Sequence, residues 1–198
     1  MSTPELVTAA LVFGADGDAG AQGRDAIAAR QGLEDLREQL KAEERANVDR
    51  RTTAETLLSA APFAPSPMVA AVWRTTALER LATDIIGACI GGGETLDDYL
   101  ASVFESVGPM FAKSNEEPLW AQHPRVPLAL VYFIQHVSDD SIQSNWPRWS
   151  AMGLQFVEHF QPLFKICGCV VLAELVARSS PLQLHHAGLL MLYYTVRH

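Results

Sequence analysis

Phe164-Lys165-Ile166-Cys167-Gly168-Cys169 heads a run, residues 162–177, that is apolar on nearly every face of a helix. This run decides how the rest of the chain is read. Leu163, Phe164, Ile166, Cys167, Val170, Val171, Leu172, Leu175 and Val176 supply its surface, and a helix so apolar has to be covered on most sides. Gln161-Pro162 opens it, and Ser180-Pro181 opens a further helical pattern. Proline suits the first helical position, where the backbone N–H has no partner in any case. On the N-terminal side, Trp146-Pro147 begins a helix to about Phe160. Trp146, Trp149, Phe156 and Phe160 fall on one face of it, a face that reads as core. Trp146 and Trp149 are also the candidates for contact with a partner, because aromatic anchors are common at interfaces.

Further outward, His123-Pro124 precedes an apolar helix from about Val126 to Val137, followed by a loop at Ser138–Ser144. Thr95-x-x-Asp98 fits a capping box, in which hydroxyl and carboxylate each satisfy a free backbone donor, and starts a helix to about Val107 or Ala112. Ser114–Glu117 is a polar loop. Gly91-Gly92-Gly93 ends a long helix that Ser66-Pro67 opens, and Thr52-x-x-Glu55 fits another capping box. No segment alternates with period two, so the chain reads as all-α. Helix starts near 67, 95, 125, 147, 162 and 181, joined by short connections, predict antiparallel neighbours in an irregular HEAT- or armadillo-like array, an α-solenoid. Tyr193-Tyr194-Thr195-Val196-Arg197-His198 stays in helical pattern without a stop signal, so an array truncated at its C-terminus is expected.

The N-terminal region differs in character. Leu6–Phe13 is a short apolar run, and Gly14–Gly20 is a Gly/Asp/Ala linker. Residues 21–51 are rich in charge, with Glu34/Arg37 and Glu38/Lys41 three apart and a thin stripe of Leu33, Leu36 and Leu40. This is the pattern of a solvated amphipathic helix that leans on its neighbours by one edge. Two regions are expected: a variable segment 1–51 and a helical-repeat domain 52–198.

Composition narrows the function. The 198 residues carry a formal net charge of −8, and Lys41, Lys113 and Lys165 are the lysines. Neutralising phosphates needs clustered Lys and Arg, so nucleic acid is not an expected partner. No run reaches the roughly 18 uncharged apolar residues of a membrane span, so no membrane partner is expected either. Met1-Ser2-Thr3-Pro4-Glu5 is not a secretory leader, and Cys89, Cys167 and Cys169 read as free thiols of a cytoplasmic or nuclear protein. Cys167 and Cys169 point to different sides of a helix and are taken as buried structural cysteines rather than metal ligands. His159, His185 and His186 read as surface or capping residues. Asp97-Asp98 and Asp139-Asp140 read as helix-terminal charges, and Gly91–Gly93 as a helix stop rather than a phosphate loop. No catalytic, cofactor or metal residues are assigned, and the chain is read as a non-enzyme.

The C-terminal residues also resemble a known family. Phe164-Lys165-Ile166-Cys167-Gly168-Cys169, the apolar Leu172, Leu175 and Val176 behind it, and Pro181-Leu182-Gln183-Leu184-His185-His186-Ala187-Gly188-Leu189-Leu190 resemble the two closing helices of the Tel two-interacting protein two family. The resemblance covers roughly 146–198. Glu158-His159 stands where that family has an acidic pair, and His186-Ala187 where it has Arg-Thr. The resemblance implies a HEAT-like, non-catalytic subunit of the Triple T co-chaperone complex. Its partners would be Tel two-like and Tti one-like subunits, the Hsp90 machinery and phosphatidylinositol-3-kinase-related kinases, the clients it stabilises in telomere maintenance. The motif positions carried over are Phe164, Lys165, Gly168, Cys169, Gly188 and Leu189, with Gly168 and Gly188 allowing close helix approach. A generic HEAT-like adaptor of transport or chromatin, a small helical ligand-binding bundle and a fragment that does not fold alone are the alternatives.

Overall fold

The computed structural model describes residues 27–38, 50–65, 76–112, 117–180 and 184. Every regular element among them is helical, so the all-α expectation holds. Helix α1 lies within 27–38; α2 is Arg50–Ala60, α3 Thr76–Cys89, α4 Leu96–Val107, α5 Arg125–His136, α6 Asp139–Ser144, α7 Trp146–Glu158 and α8 Pro162–Ala177. Tight 3-10 turns at Ala61–Phe63, Gly91–Gly93, Gly108–Phe111 and Leu119–Gln122 connect them. The start of the helix expected at Pro67, the helix expected from Pro181 (Leu184 apart) and the Leu6–Gly20 segment lie outside the described residues.

Two helices organise the packing. α2 touches α3, α4 and α5, and α8 packs on α7 and on α5. The contacts of α2 with α4 and of α5 with α8 skip the helices between them in the chain. One apolar cluster runs from Ala29 and Leu33 of α1 through Leu57, Ile85, Val103 and Phe133 to Val171 and Leu175 of α8. The division at residue 51 falls inside α2, and the described part of the N-terminal region shares this core. As the leucine stripe predicts, α1 leans inward by Leu33 while Leu36 packs at the edge. Glu34 pairs with Arg30, four residues back, at 2.8 Å, and not with Arg37 as expected; Lys41, the expected partner of Glu38, lies outside the described residues.

The run at 162–177 was expected to be covered on most sides. α5 is the more enclosed helix, buried at Pro127, Leu128, Ala129, Leu130, Val131, Phe133 and Ile134 because it lies between α2 and α8. On α8 one broad face is buried, at Phe164, Cys167, Gly168, Val170, Val171, Leu175 and Val176, while Ile166 remains 49% exposed.

Helix ends account for the remaining differences. The Thr95/Asp98 box forms: the Thr95 N–H and hydroxyl donate to Asp98 Oδ2 at 2.7 and 3.0 Å. The Thr52/Glu55 box does not, because α2 is already helical at Arg50, and Glu55 pairs with Arg51 at 3.2 Å. Ser138–Ser144 is a short helix and not a loop, since Ser138 is a true N-cap whose hydroxyl accepts from the Ser141 N–H at 3.2 Å. Asp97 links this cap to α4, accepting from the Ser138 N–H at 2.9 Å and its hydroxyl at 3.0 Å. Gly91–Gly93 is a helix stop, with Gly93 at φ 96°, a conformation that favours glycine.

Burial acts against the Asp97 charge, but hydrogen bonds from Ser141, Ser138 and Thr95 outweigh it and hold the carboxyl below its usual 3.8. A carboxylate with a depressed native pKa stabilises the fold above the unfolded-state value, and that contribution is lost as pH falls through the native one. Asp97→Asn is therefore expected to lower the melting temperature at neutral pH. The gap to wild type should narrow steadily as melts are taken from about pH 4 towards pH 2. A gap that stays constant across that range would remove Asp97 from the acid transition.

The C-terminal end of α8 is clasped to the helices before it. Arg178 donates to the Ile134 and Val137 carbonyls at 2.7 and 2.6 Å and to Asp139 at 2.5 Å. In return, Gln143 Nε2 donates to the Arg178 carbonyl at 2.6 Å, and Trp146 Nε1 donates to Ser179 Oγ at 2.9 Å. The carbonyls at the end of α5 have no partner within their own helix, and the Arg178 fork supplies one.

Candidate functional site

The densest chemistry gathers where α7 turns into α8. α7 stops at Glu158, with His159 in extended conformation (φ −69°, ψ 148°), and Pro162 restarts the helix after this short corner. The turn at Leu119–Gln122 inserts the fully buried Trp120 beneath it. The Trp120 ring meets Phe156, His159 and Phe164 edge-on, with centroids 4.8, 5.2 and 5.3 Å away, and stacks on Phe111 at 6.0 Å. Its Nε1–H donates to Gln155 on α7 at 3.2 Å. Edge-on arrangements suit aromatic quadrupoles, so these rings act as a rigid plug rather than a loose apolar filling.

His159 closes the plug from above. Its side chain is only 7% exposed, between the edge of Phe164 at 4.8 Å and the face of Phe160 at 4.5 Å. Nδ1 accepts from the Gln161 N–H at 3.2 Å, which places the neutral ring's proton on Nε2. Nε2 faces Glu117 Oε1 at 3.6 Å, too far for a good hydrogen bond but close enough for electrostatic attraction. The outer side of the corner is open: Phe160 is 74% exposed, and Glu158 and the Glu117 side chain are exposed beside it.

The residues expected from the sequence divide between seam and surface. Phe164 is buried in the ring cluster. Gly168 is buried where α8 presses on α7: a Cβ there would stand 2.7 Å from the Gly153 carbonyl and from Val157 N and Cγ2. Lys165 and Cys169 are exposed on α8. Cys167 is buried as expected of a structural cysteine; Cys169 is not, because it lies on the side of α8 away from Gly168. Gly188 and Leu189 lie outside the described residues. Trp149 is fully buried, edge-on to Phe104 at 5.0 Å, and offers no surface to a partner, whereas Trp146 is half-buried. Phe160 was expected in the core with the other aromatics of its face, but α7 ends two residues before it and the corner turns its ring outward.

The sequence reading missed Trp120, Glu117, Gly153 and Arg178; of the two roles expected for His159, surface or capping, it takes the second, as the C-cap of α7, with its ring buried. Gly153 carried a signal, since a glycine inside a helical pattern implies close packing. Arg178 carried another, as a basic residue at a helix C-terminus. Trp120 and Glu117 sit in a polar, irregular stretch with no periodicity to expose them.

Among the described residues, no three His, Cys, Asp or Glu side chains gather to hold a metal ion, and no helix is long and apolar enough to cross a membrane. No protein-family model matches the chain, and no curated protein or solved structure shows a significant match to it. What the corner offers chemically is a stiff aromatic platform with a carboxylate rim. That arrangement suits holding another molecule.

Proposed function

We propose that the chain is a non-catalytic helical scaffold that works by protein–protein binding through the α7–α8 pair. One observation carries this reading. The large apolar side chains left exposed among the described residues are Ile27, Leu119, Leu154, Phe160 and Ile166, and all but Ile27 lie on α7, on α8 or on the corner and turn packed with them. Scattered surface leucines need no explanation, but apolar side chains concentrated on one pair of helices mark an interaction surface.

In its finer form, the chain is a subunit of a Triple T-type co-chaperone, built as an irregular HEAT-like array. It joins Tel two-like and Tti one-like subunits in cytoplasm or nucleus and, with the Hsp90 machinery, supports maturation of phosphatidylinositol-3-kinase-related kinases. The burial of Phe164 and the close helix contact at Gly168 support it, because both motif positions do what a paired closing helix needs. A second reading, a generic helical adaptor, is favoured by the contacts of α2 with α4 and α5 and of α5 with α8, which belong to a bundle more than to a strictly one-dimensional array.

Affinity purification of the tagged chain from its own cells, read by mass spectrometry, tests both. Recovery of Tel two-like and Tti one-like proteins with large kinases is the result expected of the finer form. A reproducible but unrelated set of partners leaves the adaptor, and the absence of any stoichiometric protein partner would reject the scaffold.

A further inference from the structure

Resting on the scaffold reading, we infer that the α7–α8 corner is the docking point for a partner protein's arginine, stacked on Phe160 and presented on an amphipathic helix whose flanking apolar side chains cover Leu119. Two local features coincide at this corner. The first is Phe160, a large apolar ring left 74% exposed. One face of the ring is stacked on His159 at 4.5 Å, so it is held in a fixed orientation with the other face outward. The second is charge. α7 ends on Glu158 and has no basic residue in its last turn, although the end of a helix carries negative partial charge and favours cations.

Glu117 adds a further negative group on the same side, held 3.6 Å from the buried His159 ring. Lys165, exposed in the first turn of α8, makes no ion pair with either carboxylate. The corner therefore combines a fixed π face, two carboxylates and a helix C-terminus, and among the described residues no Lys or Arg pairs with either carboxylate. A guanidinium meets each feature at once: its plane stacks on an aromatic face, and its fork of donors reaches carboxylates and carbonyls. A lysine ammonium would match the charge but not the plane. Leu119, exposed in the turn that carries Trp120, supplies apolar surface for the side chains flanking that arginine. Because Trp120, Phe156 and Phe164 immobilise the platform, little side-chain freedom is lost when the partner binds.

The test uses the full chain and two synthetic helical peptides with blocked ends. Both carry a leucine stripe with one neighbouring central position, which is arginine in the first and citrulline, its neutral counterpart, in the second. Fluorescence anisotropy of the labelled peptides is expected to show saturable binding of the arginine peptide, weakening as salt is raised. Binding should fall by about tenfold or more with citrulline, with Phe160→Ala, and with Glu117→Gln/Glu158→Gln together, a factor of ten being the loss of one good charge-assisted contact. All three positions are exposed, so these variants should keep the wild-type melting temperature. Equal binding of the citrulline peptide, equal binding by the variants, or no saturable binding overturns the inference. Copurification separates it from the scaffold reading. Partners retained equally by wild type and by the Phe160→Ala/Glu117→Gln/Glu158→Gln chain overturn the corner and leave the scaffold. Absence of partners from both rejects the scaffold, and the peptide titration alone then decides the corner.

Discussion

Gly168→Ala is expected to lower the melting temperature by about 5–10 °C, the loss of roughly 2–3 kcal/mol from a chain of this size. Two effects of opposite sign compete. Alanine is the better helix former, so the exchange inside α8 gains about 1 kcal/mol in intrinsic propensity. Against this, the new methyl would stand 2.7 Å from the Gly153 carbonyl oxygen, from Val157 N and from Val157 Cγ2. Two of the three obstructing atoms are backbone, so no rotamer change clears them and α7 must move away along its length. Overpacking of this kind costs about 3 kcal/mol or more where nothing yields, and it exceeds the propensity gain. Gly153→Ala is the internal control. Its methyl would meet only side-chain atoms, Leu172 Cδ2 and Cγ and Val171 Cγ1, at 3.0–3.1 Å. Those can shift by a few tenths of an ångström, and the propensity gain then nearly cancels the cost, for a net change of about 1 kcal/mol or less. Paired thermal melts of the two variants check this. Equal melting temperatures would show that the α7–α8 seam is not set by backbone contact at Gly168.

Arg178→Met should cost about 2–4 kcal/mol, again several degrees in melting temperature. Methionine preserves the apolar stem, so the loss isolates the guanidinium. The Ile134 and Val137 carbonyls lose their donor, and leaving a part-buried acceptor unpaired costs about 1–3 kcal/mol each. The ion pair with Asp139 contributes much less, because the Asp139 side chain is 70% exposed and solvent screens it. The order of effects is therefore fixed: Arg178→Met largest, Arg178→Lys intermediate because one ammonium cannot reach all three acceptors, and Asp139→Asn below about 1 kcal/mol. Chemical denaturation of the three variants gives that order directly. A loss with Asp139→Asn equal to that with Arg178→Met would make the clasp an ion pair and not a cap.

Much of this architecture is written in local pattern. Prolines 147 and 162 mark helix starts because a missing N–H costs nothing there, and α7 and α8 begin within a residue of them. Thr95 and Asp98 place the start of α4 by satisfying backbone donors that any helix leaves free. Gly91–Gly93 stops α3, and the absence of period-two alternation excludes strands from the reading. Where the local signal was ambiguous, reading failed. Thr52/Glu55 has the spacing of a capping box, yet the helix begins before it, and Ser138–Ser144 has the polarity of a loop, yet Ser138 caps it into a helix.

Helix class, most helix ends and the buried stripe of α1 follow from the chain itself, because spacing and caps act over one or two turns and need no distant partner. Tertiary structure alone decided which apolar helix is the more enclosed, α5 rather than α8, since burial depends on what lies on the other side. It also decided that Trp149 is core while Phe160 faces outward, although both belong to one helical pattern, because the corner at His159 breaks that pattern. The grouping of Trp120, Glu117 and His159, and the reach of Arg178 to Ile134 and Val137, join residues about forty apart in sequence. Contacts of that range leave no periodic trace in the sequence, because they depend on how distant helices pack and not on the spacing within one helix.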